Sequence, residues 1–132
     1  MFQYLMIKKR IDIIVAELKK IRSIQAIYLF GSQVRGEAGP LSDIDICVIA
    51  PAASKKEKNE ISGCAYHDVD IILFDNLPLT IQARIFKEGK LLFVANQHYI
   101  DELAWRTTKT YLDYKPILKK FIETYLPGVH YV

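Results

Sequence analysis

Long apolar runs are missing from this chain of 132 residues. The longest, Ile46 to Ala53, is interrupted by Pro51 and falls far short of the roughly 18 residues that a membrane-spanning helix needs. The N-terminal residues Met1-Phe2-Gln3-Tyr4 lack a basic stretch ahead of an apolar one, so no secretory leader is expected. Cysteine is scarce. Cys47 and Cys64 make no disulfide framework, which fits a reducing, cytoplasmic setting, and no Cys/His cluster has the spacing of a zinc site. Neither sign of charge dominates: 18 basic side chains face 15 acidic ones, for a net charge of +3. That excess is too small to argue for nucleic acid, and neither direct nucleic-acid binding nor a membrane role is expected. Internal repeats and low-complexity stretches are also absent.

What is present is a folding composition, 51% hydrophobic and 25% charged. A chain of this length can bury a core without cross-links. Residues 1–132 read as one domain, with a mixed helix-and-strand part over 1–95 and a helical segment over 96–132. Ile7, Ile11, Ile14, Val15, Leu18 and Ile21 recur at helical spacing, with lysines between them. Ala26–Phe30 is short, apolar and closed by Gly31, which predicts a strand. Gln33–Ala38 reads as a short helix or turn, broken at Gly39-Pro40. Strands are predicted over Ser42–Ile49 and Asp68–Phe74, with an exposed loop or short helix over Ser54–Glu60. Leu79–Glu88 predicts a helix ended by Gly89 at the usual C-terminal glycine position. Lys90–Val94 reads as a short strand or link. Tyr99–Leu126 keeps helical spacing, and Pro116 inside it predicts a kink or a split into two helices. The sum is an α/β (α+β) domain: a small sheet of three to four strands flanked by helices, then a C-terminal helical segment.

Gly31-Ser32, ten residues, then Asp43-Ile44-Asp45 is the stretch that carries chemistry. Asp43 and Asp45 lie two apart on a predicted strand and so point to one face, while Ile44, Ile46 and Val48 point to the other. Two carboxylates about 4–5 Å apart repel by roughly 3–4 kcal/mol at an effective dielectric near 20. A cation between them reverses that penalty, and hard carboxylate oxygens suit magnesium or manganese. Asp68 and Asp70 on the third strand are again two apart. If the second and third strands are neighbours, one of this pair joins Asp43 and Asp45, and three acids could hold two metal ions. Such a site suits in-line nucleotidyl or phosphoryl transfer. Gly31, directly after a strand, lets backbone amides approach a phosphate. The Ser32 hydroxyl can donate to a phosphate oxygen, a helix starting there would add favourable dipole, and Arg35 is a further candidate phosphate contact.

Phe30-Gly31-Ser32, the fixed gap and Asp43-Ile44-Asp45 resemble the signature of the polymerase-beta-like nucleotidyltransferase superfamily. Gly31-Ser32-Gln33-Val34-Arg35-Gly36-Glu37-Ala38 is similar to its minimal nucleotidyltransferase (MNT) branch, and the tail around Tyr111-Leu112-Asp113 is similar to that of MNT antitoxins. The likeness extends over most of the chain. It implies a nucleotidyltransferase fold with a small mixed sheet, and a catalytic core over 1–95. It implies Asp43, Asp45 and Asp70 as catalytic metal ligands, Asp70 also serving as base for the acceptor hydroxyl. Gly31 and Ser32 would bind nucleotide phosphate. Asp70 is preferred to Asp68 because it lies deeper in the apolar run Ile71-Ile72-Leu73-Phe74. The resemblance further implies ATP as substrate, two Mg2+ ions (or Mn2+), and a cognate HEPN ribonuclease toxin as partner. AMP would be transferred to a hydroxyl of that toxin, a tyrosine by the family's pattern, with release of pyrophosphate.

Two other functions compete with this reading. One is a binding antitoxin that masks its toxin without chemistry, for which an exposed apolar patch on the C-terminal helices would serve. The other is transfer to a small hydroxylated molecule such as an aminoglycoside, disfavoured because such enzymes resemble longer chains with a second substrate domain. The remaining polar residues have plain readings. Asp68 is a solvated strand start, and His67, His98 and His130 are structural or surface residues. Cys47, on the face of the aspartates, is a buried and inert thiol. Lys55, Lys56 and Lys58 are a solvated segment, and Arg106 and Lys109 a solvated helix face. Tyr99, Tyr111, Tyr114, Tyr125 and Tyr131 read as core and helix-packing residues.

Overall fold

The computed structural model describes residues 2–31, 44–65 and 68–129. Helix α1, Phe2–Leu18, comes first. Its isoleucines at positions 11 and 14 and Leu18, spaced by three and four, are buried against the sheet. Strand β1, Ala26–Phe30, and strand β2, Ile44–Ile49, pair antiparallel. Helix α2, Lys55–Gly63, then crosses over to β3, Val69–Leu73, which pairs parallel with β2. A single 3-10 turn, Phe74–Asn76, leads into α3, Leu79–Glu88. Strand β4, Lys90–Val94, pairs antiparallel with β1, and α4, Gln97–Tyr125, closes the chain. The sheet is mixed, in the order β3-β2-β1-β4.

Two cores, one on each face of the sheet, hold these layers together. On the first face α1 and Ile61 of α2 pack on Ile27, Leu29, Ile44, Ile46, Val48 and Val69. On the second, Ile85 of α3 and Ile100 of α4 pack on Ala26, Tyr28, Cys47 and Ile49. β2 is therefore apolar on both sides along most of its length. Each fully buried aliphatic side chain here contributes roughly 1.5–3 kcal/mol.

Local chemistry sets the boundaries. Segment 54–60, left open between loop and helix by its sequence, is helical because Ser54 and Glu57 form a capping box. The Glu57 N–H donates to Ser54 Oγ at 3.1 Å, and the Ser54 N–H donates to Glu57 Oε1 at 3.2 Å. Gly89 does end α3, but not in the left-handed conformation that such glycines usually adopt: its φ is −66° and ψ 151°. It is glycine for want of space. A Cβ there would collide with the Ile85 carbonyl oxygen and stand 3.2 Å from Tyr28 Cδ1.

The expected division at Pro116 does not occur: α4 is one run of 29 residues, about 44 Å long at 1.5 Å per residue. Proline removes the N–H that would bond the Leu112 carbonyl, but Leu112 is 57% exposed, so that carbonyl can take water instead. The tyrosine reading also needs correction. Tyr99 and Tyr111 are half-buried, whereas Tyr114 and Tyr125 stand exposed beyond the body of the domain. Segment 33–38, the expected strand residues Ser42 and Asp43, and His67, His130 and Tyr131 lie outside the described residues.

Candidate active site

The N-terminal end of β2 is where the second core gives way. Side chains alternate along the strand, so Asp45, Cys47 and Ile49 share the face covered by α3 and α4. Cys47 and Ile49 are buried, while Asp45, at the end of the row, is half-buried. In register, Asp45 lies opposite Phe30 of β1 on one side and opposite Asp70 of β3 on the other. In-register residues on neighbouring strands project to the same face, with backbones about 4.8 Å apart. Asp45 and the exposed Asp70 thus form a carboxylate pair across the β2–β3 seam.

Gly31, directly after β1, holds a φ of +84°, in the left-handed region that favours glycine. A Cβ on Gly31 would run into Asp45 Oδ2. The absence of a side chain at this one position lets the turn lie against the carboxylate. Gly31 also borders a cavity of about 180 Å³, walled by Phe30, Ile81, Arg84, Ile85, Glu88 and Gly89.

These residues fit a divalent cation in donor chemistry: two hard carboxylates on one face, one of them closely approached by a glycine. Among the described residues no three acidic, histidine or cysteine side chains cluster as a complete metal site. Asp43, Ser32 and Arg35 lie outside the described residues. Asp68 is engaged elsewhere, in an ion pair with Arg10 of α1, the helix that covers the opposite face. Cys47, fully buried, has its thiol pushed up to about 12 by burial, with the Asp75 charge adding to the effect, which makes it a packing residue rather than a nucleophile. Cys64 donates its S–H to the Glu60 carbonyl, with the sulfur 3.4 Å from the oxygen. His98 pairs with Glu102 on the surface of α4.

One pair of wall residues was not singled out from the sequence. Ile81, Arg84, Ile85 and Glu88 fall at i, i+3, i+4 and i+7, one face of α3. The two charges therefore interrupt an apolar stripe, and that interruption was the readable signal that this face borders something other than core.

Residues 12–98 match the family described as Polymerase beta, Nucleotidyltransferase, and the chain belongs to that family. Its particular relatives are narrower. Over 67 residues, 51% of this chain and 53% of the relative, it is 37% identical to "Putative protein adenylyltransferase MJ1547" of Methanocaldococcus jannaschii. The match takes in about half of that relative's length. Among solved structures, the chain is similar to one in a toxin–antitoxin crystal structure with AMP-PNP, at a TM-score of 0.66 and 25% identity, covering 88% of this chain and 95% of that one. It also shares its fold with a chain of the tri-AMPylated Shewanella oneidensis HEPN toxin in complex with MNT antitoxin. There the TM-score is 0.64 at 23% identity, with 92% and 97% of the two chains covered.

Proposed function

We propose that this chain transfers AMP from ATP to a protein hydroxyl, and that its acceptor is a tyrosine of a cognate HEPN toxin, which the modification inactivates. The observation that carries the reading is the in-register pair Asp45 and Asp70, with Gly31 pressed against Asp45 where a side chain would not fit. Family membership and the relatives' names, one a protein adenylyltransferase and another a complex with an AMPylated toxin, support the same chemistry. Asp45 and Asp70, with Asp43, would hold two Mg2+ ions. When bound there, the ions supply positive charge that favours the ionised acceptor hydroxyl and stabilises the departing pyrophosphate. Asp70, the more exposed of the described pair, takes the hydroxyl proton on a carboxylate oxygen. The acceptor oxygen attacks the α-phosphorus, the bond from that phosphorus to the bridging α–β oxygen breaks, and pyrophosphate leaves. Gly31 and Ser32, with Arg35, bind and orient the phosphates.

The test is incubation with α-labelled ATP, Mg2+ and the toxin, followed by mass spectrometry of the toxin. Label on a toxin tyrosine that disappears with Asp45→Ala is the expected result. No transfer by the native protein, or equal transfer by the variant, sinks the proposal.

A second reading, neutralisation by binding alone, has one observation in its favour. Beyond Tyr111, α4 carries Ile117, Phe121 and Tyr125 exposed at 66%, 52% and 68%, an apolar stripe with no cover from this chain among the described residues. A double variant, Asp45→Asn with Asp70→Asn, that still rescues cells from the toxin in full would favour this reading.

A further inference from the structure

A second depression, about 800 Å³, lies between α3 and α4. We propose that it seats the acceptor segment of the partner polypeptide, an acidic stretch that carries the hydroxyl to be modified. The proposal rests on the transferase reading and adds where, and by what chemistry, the acceptor is held.

Three observations point there. The first is continuity: Arg84 and Glu88 line both this groove and the smaller cavity that Gly31 borders. The groove and the cavity at the Gly31 turn thus share a wall of side chains. The second is charge. Arg84, Lys87 and Lys115 line the groove against one carboxylate, Glu88, and none of the three cations is ion-paired among the described residues. Unpaired cations that share one concave surface favour an acidic occupant and speed its arrival. The third is the aromatic wall. Trp105 lines the groove while 66% exposed, with Lys109 Nζ 5.7 Å from its ring centre. A large exposed aromatic beside cations is the pairing that recognition surfaces use as an anchor. The volume lies within the range of ligand-binding clefts and leaves room for several side chains.

Trp105 is the only tryptophan in the chain, so its emission reports occupancy of this groove directly. The full chain, without nucleotide, is titrated with a random glutamate–tyrosine copolymer under excitation selective for tryptophan. The expected result is a saturable change in emission, weakened about tenfold or more by Lys87→Glu with Lys115→Glu, and absent with a lysine–tyrosine copolymer. Should the double reversal fail to fold by circular dichroism, Lys87→Gln with Lys115→Gln is the deciding variant, with several-fold weakening expected. No saturable change, an equal response to the lysine copolymer, undiminished binding by the folded variant, or equally tight binding of an oligouridylate each overturns the proposal. Because nucleotide is left out, this result stands apart from the chemistry. Absent AMP transfer by the native protein strikes the transferase reading, whereas absent copolymer binding strikes the groove alone.

Discussion

Replacing Gly31 by alanine tests the contact on which the candidate site depends. Two separate costs fall on that methyl group. The left-handed backbone at φ +84° costs an L-residue roughly 1–2 kcal/mol. The Cβ also meets Asp45 Oδ2, so either the turn or the carboxylate must move. Gly128 separates the two effects, since it too is left-handed, at φ +95°, yet a Cβ there meets nothing within 4 Å. Gly128→Ala should therefore lose no more than about 1–2 kcal/mol in urea unfolding and keep its transfer activity. Gly31→Ala should lose at least as much stability, and its AMP transfer should fall on the order of a hundredfold, the usual scale for displacing a group that stabilises charge in the transition state. Gly31→Asn sharpens the comparison, because asparagine tolerates the left-handed region but still brings a Cβ. It should recover part of the stability and little of the activity. Full activity in Gly31→Ala would refute the reasoning, since the carboxylate would then not depend on the turn. Equal activity losses in Gly31→Ala and Gly128→Ala would refute it as well.

Other consequences are quicker to check. Gly89→Ala should destabilise by about 1–3 kcal/mol through overpacking against the Ile85 carbonyl, with no backbone penalty at φ −66°, as read by denaturant midpoint. A thiol reagent applied to the folded protein should label Cys64 and spare Cys47, which is fully buried with its thiol pushed up to about 12; counting modified thiols by mass before and after unfolding decides this. Arg10→Ala should change stability by no more than about 1 kcal/mol and leave transfer intact, because its ion pair with Asp68 is a partly exposed contact away from the Asp45 face. A large loss of activity there would mean that Asp68 belongs to the site.

The elements most legible in the sequence were those with a strong period and an unambiguous stop. Ala26–Phe30 and Leu79–Glu88 have the predicted bounds because Gly31 and Gly89 end them, although the second glycine is demanded by space rather than by handedness. The three-acid reading required strands β2 and β3 to be neighbours, and the parallel register that sets Asp45 against Asp70 meets that condition. Less legible was everything that depends on where the body of the domain stops. Helical spacing continues from Ile100 to Tyr125 without a break, so periodicity alone made Tyr114 and Tyr125 look like core. Along the same helix Ile100 and Thr107 are buried, whereas Tyr114 and Tyr125 are exposed. Pro116 misled for a related reason, since its cost depends on whether water can reach the carbonyl it leaves unbonded. Arg84 carries little signal by itself, since an arginine on a helix is by default solvated, yet its position between Ile81 and Ile85 sets it on the half-buried face of α3.

The placement of Asp45 follows from a conflict within β2. A strand that is apolar on both faces cannot hold an ionised carboxylate in its middle without a partner, because desolvation there costs several kcal/mol. At the strand's first residues the cost falls, since water still reaches one side, and Asp45 accordingly keeps partial exposure while Cys47, two residues on, has none. The neighbouring strands then fix its surroundings: Phe30 and the Gly31 turn on one flank, Asp70 on the other. A rigid, buried strand thus carries its carboxylate at the one end that solvent can reach, and the packing of Cys47 and Ile49 holds that end in place. Cys47→Ala, which empties volume two residues behind Asp45 without touching the site, should therefore lower stability and loosen the carboxylate's position together. A variant that lost stability while keeping native transfer rates below its melting range would separate the two and refute the coupling.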